Sequence, residues 1–264
     1  MVSRGGFIFS RFYILTLGVA VFNLFFAAWS FWNYETELES PLLSSTEMTG
    51  VQGAATPALP RNTRAEAKER FIGMARSFKM KVVLLGALFI FAYQGAEVSI
   101  SGWVISFLIN ARNGDPASVG YVTSGFWAGI TLGRFLLSHP AHLIGEKRFV
   151  YGATAGAAAF QILVWTVPNV IGNGVALAIV GLLLGPIYPC AAYIFSQNIN
   201  RKDQVSGMSV ISAFGSSGGA VAPFTTGLMA QALGTFVLHP VAIFLFGVMV
   251  ACWLGIPTPR KRTE

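Results

Sequence analysis

The chain has 264 residues, of which 54% are apolar and only 11% charged, less than half the charged share of a soluble domain, about 25%. So few charges cannot cover a water-facing surface of this size. The net charge of +7 is scattered in short stretches between apolar runs, not gathered on a polar domain, which argues against a nucleic-acid partner and for an all-α membrane protein in contact with the lipid bilayer.

A membrane-spanning helix needs about 20 mostly apolar residues, and seven segments satisfy this. They run roughly over Phe7 to Trp32, Val82 to Ile109, Val119 to Leu137, Phe149 to Val167, Val175 to Phe195, Val205 to Leu233 and Phe236 to Ile256. Only Gly234 and Thr235 separate the last two. The predicted organisation is therefore a first transmembrane helix over 1–32, a polar linker over 33–80, a six-helix bundle over 81–257 and a basic tail over 258–264.

The first span also fits a signal peptide, with Arg4 and Arg11 ahead of an apolar core and small residues at Ala27 and Ala28. Its apolar stretch is longer than the usual core of about 7–15 residues, which favours a retained span. The linker carries Pro41, Pro57, Pro60 and a Ser/Thr-rich run. Its second part, Ala65 to Lys81, reads equally as a basic amphipathic helix on the membrane surface or as a solvated loop.

If the spans alternate and the linker is cytoplasmic, fourteen of the 18 basic residues fall inside. Arg4, Arg11 and Arg112 fall outside, and Arg134 lies within a span. Positive residues concentrate on the cytoplasmic side, so the carboxyl terminus is expected there and the amino terminus outside. The expected location is a multi-pass protein of the plasma membrane or of an internal membrane.

Two charged side chains lie within spans, Glu97 and Arg134. A charge at the bilayer centre costs about 2.5–3.5 kcal/mol on insertion scales, so each asks for a reason. On the second span, Tyr93, Glu97 and Ser101 share one helical face, with Gln94 beside Glu97. That face fits solute hydrogen bonding or proton carriage; it also fits a carboxylate that merely pairs with a neighbouring helix. Trp103, six residues past Glu97, fits a stacking surface for a sugar ring and fits packing equally well.

Arg134 follows Gly125-x-x-x-Gly129-x-x-x-Gly133. Small residues four apart let helix backbones approach closely. From there Arg134 can reach the carbonyls of a neighbouring helix end or the acid Glu146, a conformational latch built from Gly129, Gly133, Arg134 and Glu146; snorkelling to the interface is the plainer alternative. The fifth span contains Gly185-Pro186-x-Tyr188-Pro189, whose prolines remove backbone donors and break the helix. The sixth is crowded with Ser and Gly and interrupted by Pro223. Interrupted spans mark transporter binding sites, although close helix packing needs the same small residues.

Cys190 and Cys252 lie in apolar runs and read as small buried hydrophobes. His139, His142 and His239 lack metal-site spacing. No nucleotide-binding lysine loop, nucleophile elbow or His-Glu-x-x-His pattern occurs, so no catalytic residue, metal or cofactor is expected.

These residues resemble the second half of a Major Facilitator Superfamily transporter, especially its fucose/galactose/glucose–proton symporter-like branch of fungal type. Tyr93-Gln-Gly95-Ala-Glu97 is similar to that branch's seventh helix. Gly129-x-x-x-Gly133-Arg134 with Gly145-Glu-Lys-Arg148 is similar to the cytoplasmic loop motif between helices eight and nine, although Ser138-His-Pro-Ala-His142 replaces its usual Asp. Gly185-Pro-x-Tyr-Pro189 resembles helix ten, and the Gly/Ser run ending in Pro223 resembles helix eleven. The first span would be helix six. The resemblance implies transport of a small, sugar-like or other polar solute by alternating access, with proton coupling. It also implies that this chain is one part, completed by a missing amino-terminal half or a complementary chain that holds most proton-coupling carboxylates. A truncated, non-transporting membrane protein or scaffold is the alternative, and a seven-helix receptor a remoter one.

Overall fold

The computed structural model describes residues 9–30 and 80–257, and every described element is helical. The linker, its amphipathic segment up to residue 79 and the basic tail from residue 258 lie outside the described residues. Helix α1 spans Phe9–Ser30 and belongs to a compact unit of its own. The second unit contains α2 (Lys81–Arg112), α3 (Gly120–Ile144), α4 (Glu146–Thr166), α5 (Val170–Leu184), α6 (Ile187–Asn198), α7 (Gln204–Leu233), a 3₁₀ turn (Thr235–Val237) and α8 (Leu238–Gly255).

Among the described residues, five stretches are long and apolar enough to cross a membrane: α2, α4, α5 with α6, α7, and the 3₁₀ turn with α8. Helix α3 has 25 residues but is not among them. Arg134, Ser138, His139 and His142 make its second half polar. Helix α1 is apolar along Leu17–Ser30, the part whose side chains are described.

Local chemistry sets the ends. Asn113 stops α2 in the left-handed conformation at φ 52°, and its N–H returns to the Leu108 carbonyl. Gly145 at φ 96° and Gly234 at φ 88° end α3 and α7, in a region where a Cβ would be strained. Asn169 starts α5 by accepting the Gly172 N–H at 2.9 Å, which sets the helix start five residues before the apolar run suggests.

Helix α2 is apolar nearly all round and is accordingly the buried axis of the bundle; it packs along α7 and α8. Phe89 meets Trp253 at 4.9 Å between ring centroids, and Phe195 packs edge-on to both. Against α7, Gly218 lies on the Phe91 carbonyl and Gly215 on Ile90, where a methyl group would overlap them. Helices α3 and α5 form the other close pair. Gly129 faces the Ala178 carbonyl and Gly133 that of Leu182, while Gly181 faces Phe126 and Gly185 faces Ile130. Each glycine lies on the other helix's backbone, so the contact is a reciprocal small-residue seam.

At the end carrying Gly145, Trp253 Nε1 donates to the Lys147 carbonyl at 2.9 Å, and Lys147 Nζ donates to the Ile256 carbonyl at 2.5 Å. Asn198 Nδ2 donates to the Pro257 carbonyl at 3.2 Å. These bonds tie α4, α6 and the end of α8 together.

Candidate functional site: a cleft at a broken helix

The prolines of the fifth span do what their chemistry requires. Helix α5 ends at Leu184 and α6 begins at Ile187, with a turn between. In an unbroken helix the amide of residue 189 would bond the carbonyl of residue 185, and Pro189 has no N–H to give. The Gly185 carbonyl is taken instead by Arg134, whose Nε donates to it at 3.3 Å. The α3–α5 seam makes this possible, because the Gly133–Leu182 contact brings the α3 backbone beside the break.

A cleft of about 450 Å³ opens at this break, lined by Gln94, Arg134, Ser138, Tyr188 and Pro189. The Ser138 hydroxyl donates to the backbone carbonyl of Arg134 on its own helix. Tyr188 Oη lies 3.4 Å from Ser212 Oγ of α7. Behind the lining, the Tyr93 ring is fully buried and tilts against Tyr188 at 6.1 Å between centroids. Glu97, 5% exposed, lies within electrostatic reach of Tyr93 and Arg134. Neither Tyr93 Oη nor Glu97 Oε2 completes a well-formed hydrogen bond among the described residues, although the Tyr93 hydroxyl lies close to both the Glu97 carboxyl and Arg134. Two unsatisfied polar atoms beside an open cleft are costly, about 1–3 kcal/mol each and more for a charged group.

The structure thus brings together Tyr93, Gln94, Glu97 and Arg134 with the break at Gly185, Pro186 and Pro189. Two other residues singled out in the sequence are placed elsewhere. The Trp103 ring lies against Gly227, and its indole N–H donates to the Pro223 carbonyl at 2.9 Å. It therefore braces α7 at its proline and does not line the cleft. Glu146 accepts from His142 Nδ1 at 2.5 Å, across the Gly145 break between α3 and α4, while Arg134 turns to the Gly185 carbonyl. The cleft adds Ser138 and Tyr188, both within motifs quoted above, though helical spacing alone could not aim them at one opening.

A second polar group lies at the opposite end of α2. Arg112 donates to the Trp165 carbonyl at 2.6 Å, with its guanidinium 5.3 Å from the ring centroids of Phe107 and Phe236. Beside it, the buried Gln161 and His239 meet at 3.0 Å. Sequence spacing gave no sign of this pair, because its partners come from α4 and α8.

A bundle of apolar helices with a proline-broken span and buried charge beside a cleft defines a multi-pass integral membrane protein. The Major Facilitator Superfamily profile matches residues 82–264, and the chain belongs to that family. It is 25% identical over 241 residues to Bypass of stop codon protein 6 of Saccharomyces cerevisiae, covering 85% of this chain and 47% of that protein. It is 24% identical over 168 residues to a glucose/galactose transporter of Brucella abortus, covering 60% and 38%. It is 26% identical over 144 residues to the gentisate transporter of Corynebacterium glutamicum, covering 54% and 32%. The chain spans less than half the length of these relatives.

Proposed function

We propose that this chain supplies the second bundle of a secondary transporter that moves a small polar solute by alternating access. The solute would sit in the cleft at the α5–α6 break, between this bundle and a first bundle supplied by further sequence or a complementary chain. The observation that carries the reading is the pair of unsatisfied polar atoms, Tyr93 Oη and Glu97 Oε2, beside that cleft. Solute hydroxyls would satisfy them, and solute binding would offset a cost that the empty bundle bears.

The glucose/galactose transporters among the relatives support a sugar-like solute, and the gentisate transporter widens the class to other small polar molecules. Coupling to protons extends the same reading, with Glu97 as the buried carboxyl next to the cleft that would carry the proton. The positive residues argue for a cytoplasmic carboxyl terminus. A non-transporting role is the second reading, and uptake by the protein decides between the two.

The test is uptake of labelled glucose and galactose into vesicles containing the full chain together with a first bundle. Glu97→Gln and Tyr93→Phe should each lower uptake about ten- to a hundredfold, the cost of a hydrogen bond to a charged or buried group, at unchanged expression. Normal uptake by both variants would remove the cleft from the transport path. No uptake by the parent protein would favour the non-transporting role.

A further inference from the structure

We propose that Arg134 makes the cleft selective for solutes that carry a carboxylate. The inference rests on the cleft being a solute site, as argued above, and goes beyond it by naming the charge of the preferred solute.

The lining residues carry one formal charge, that of Arg134, and no acid. Arg134 is exposed, and no carboxylate among the described residues forms an ion pair with it, the one such pair being His142 with Glu146. Glu97 feels the guanidinium from behind Tyr93 but is 5% exposed and does not line the cleft. Arg134 Nε donates to the Gly185 carbonyl, and the guanidinium also lies close to the Tyr93 hydroxyl at the cleft's inner edge. The Nε bond orients the guanidinium plane, and the exposed side of the fork faces the cleft. A planar fork held in this way matches the two oxygens of a carboxylate.

The rest of the lining is compatible with such a ligand. Gln94 contributes an amide that can donate, and Tyr188 a hydroxyl whose contact with Ser212 is long at 3.4 Å. The Ser138 hydroxyl already donates to its own helix, so it offers lone pairs to the solute's hydroxyls. A neutral sugar could use these groups equally well but would leave the exposed side of the guanidinium without a direct ion pair, since Glu97 interacts with it only from the buried side. The site would therefore rank an acid sugar above its neutral parent, because a bidentate charge-assisted pair is stronger than a hydrogen bond between neutral groups.

Glucose and glucuronate share a ring and differ by a carboxylate at C6, so they isolate this effect. Their binding to the full chain in lipid nanodiscs is the measurement. Glucuronate should bind at least about tenfold more tightly than glucose. Arg134→Gln should abolish the preference, and Arg134→Lys should retain part of it, since lysine keeps the charge without the fork. Equal affinities, or a preference that survives Arg134→Gln, would overturn the inference. Binding of glucose alone would overturn it while leaving the solute cleft intact. Binding of neither sugar by monodisperse, helical protein would count against the cleft and this inference together.

A readout independent of sugar binding comes from Ser138→Cys. Its thiol should react faster with an anionic sulfonatoethyl methanethiosulfonate than with the cationic trimethylammonium analogue, and Arg134→Gln should reverse or erase that order. A rate ratio indifferent to Arg134 would again overturn the proposal.

Discussion

A single side chain can be legible in the sequence as an anomaly and still be illegible as a partner. Glu97 stands out because a carboxyl in an apolar run is expensive, and Tyr93 and Gln94 follow from it by helical spacing. The structure keeps these three by the cleft. Trp103 lies on the same helix, yet spacing along one helix says nothing about which neighbour faces it. Its partner is the Pro223 carbonyl of α7, 120 residues away. Trp103→Phe tests the difference. The ring would still fill the space against Gly227, but the indole hydrogen bond would be lost. Stability in detergent should fall by about 0.5–1.5 kcal/mol, read as a lower thermal midpoint, while solute binding stays unchanged. A variant that kept its midpoint and lost binding would return Trp103 to the solute.

Helix-level features divide according to whether their cause is local. The break between α5 and α6 was readable because prolines lack N–H wherever they sit. The run Gly125-x-x-x-Gly129-x-x-x-Gly133 is readable as a smooth face, but nothing in the sequence pairs it with its counterpart, Gly181 of α5 and Gly185 just past the end of that helix. The start of α5 was misplaced because Gly172, Asn173 and Gly174 dilute the apolar run, although Asn169 caps it. The seam predicts a sharp contrast between two glycines. Gly133→Ala sets a methyl on the Leu182 carbonyl and should cost about 1–3 kcal/mol, the usual penalty for overpacking. Gly152→Ala in α4 meets nothing within 4 Å and should be neutral or stabilising by up to about 1 kcal/mol through helix propensity. Monodisperse yield after detergent extraction, compared across the two, reads this directly; equal yields would mean the seam is looser than described.

For the molecule as a whole, composition alone fixed the solvent, since 11% charged residues leave lipid as the surroundings, and the family assignment agrees. The direction of insertion rests on the basic residues and is open to a direct check. Ala117→Cys and Asn200→Cys introduce thiols at exposed turns on opposite ends of the bundle. In intact cells an impermeant maleimide should label position 117 and reach position 200 only after permeabilisation. The reverse pattern would invert the topology and place the basic turns outside.

The Gly185 carbonyl has a consequence at this scale. A helix secured throughout by its own amides must unwind to change shape, breaking several bonds together. Here one rung is supplied by a side chain from the adjacent helix, and a water or solute entering the cleft can replace that rung one bond for one. The two halves of this span can then swivel about the break without unravelling, so a solute held as proposed above would rest beside the hinge of the bundle.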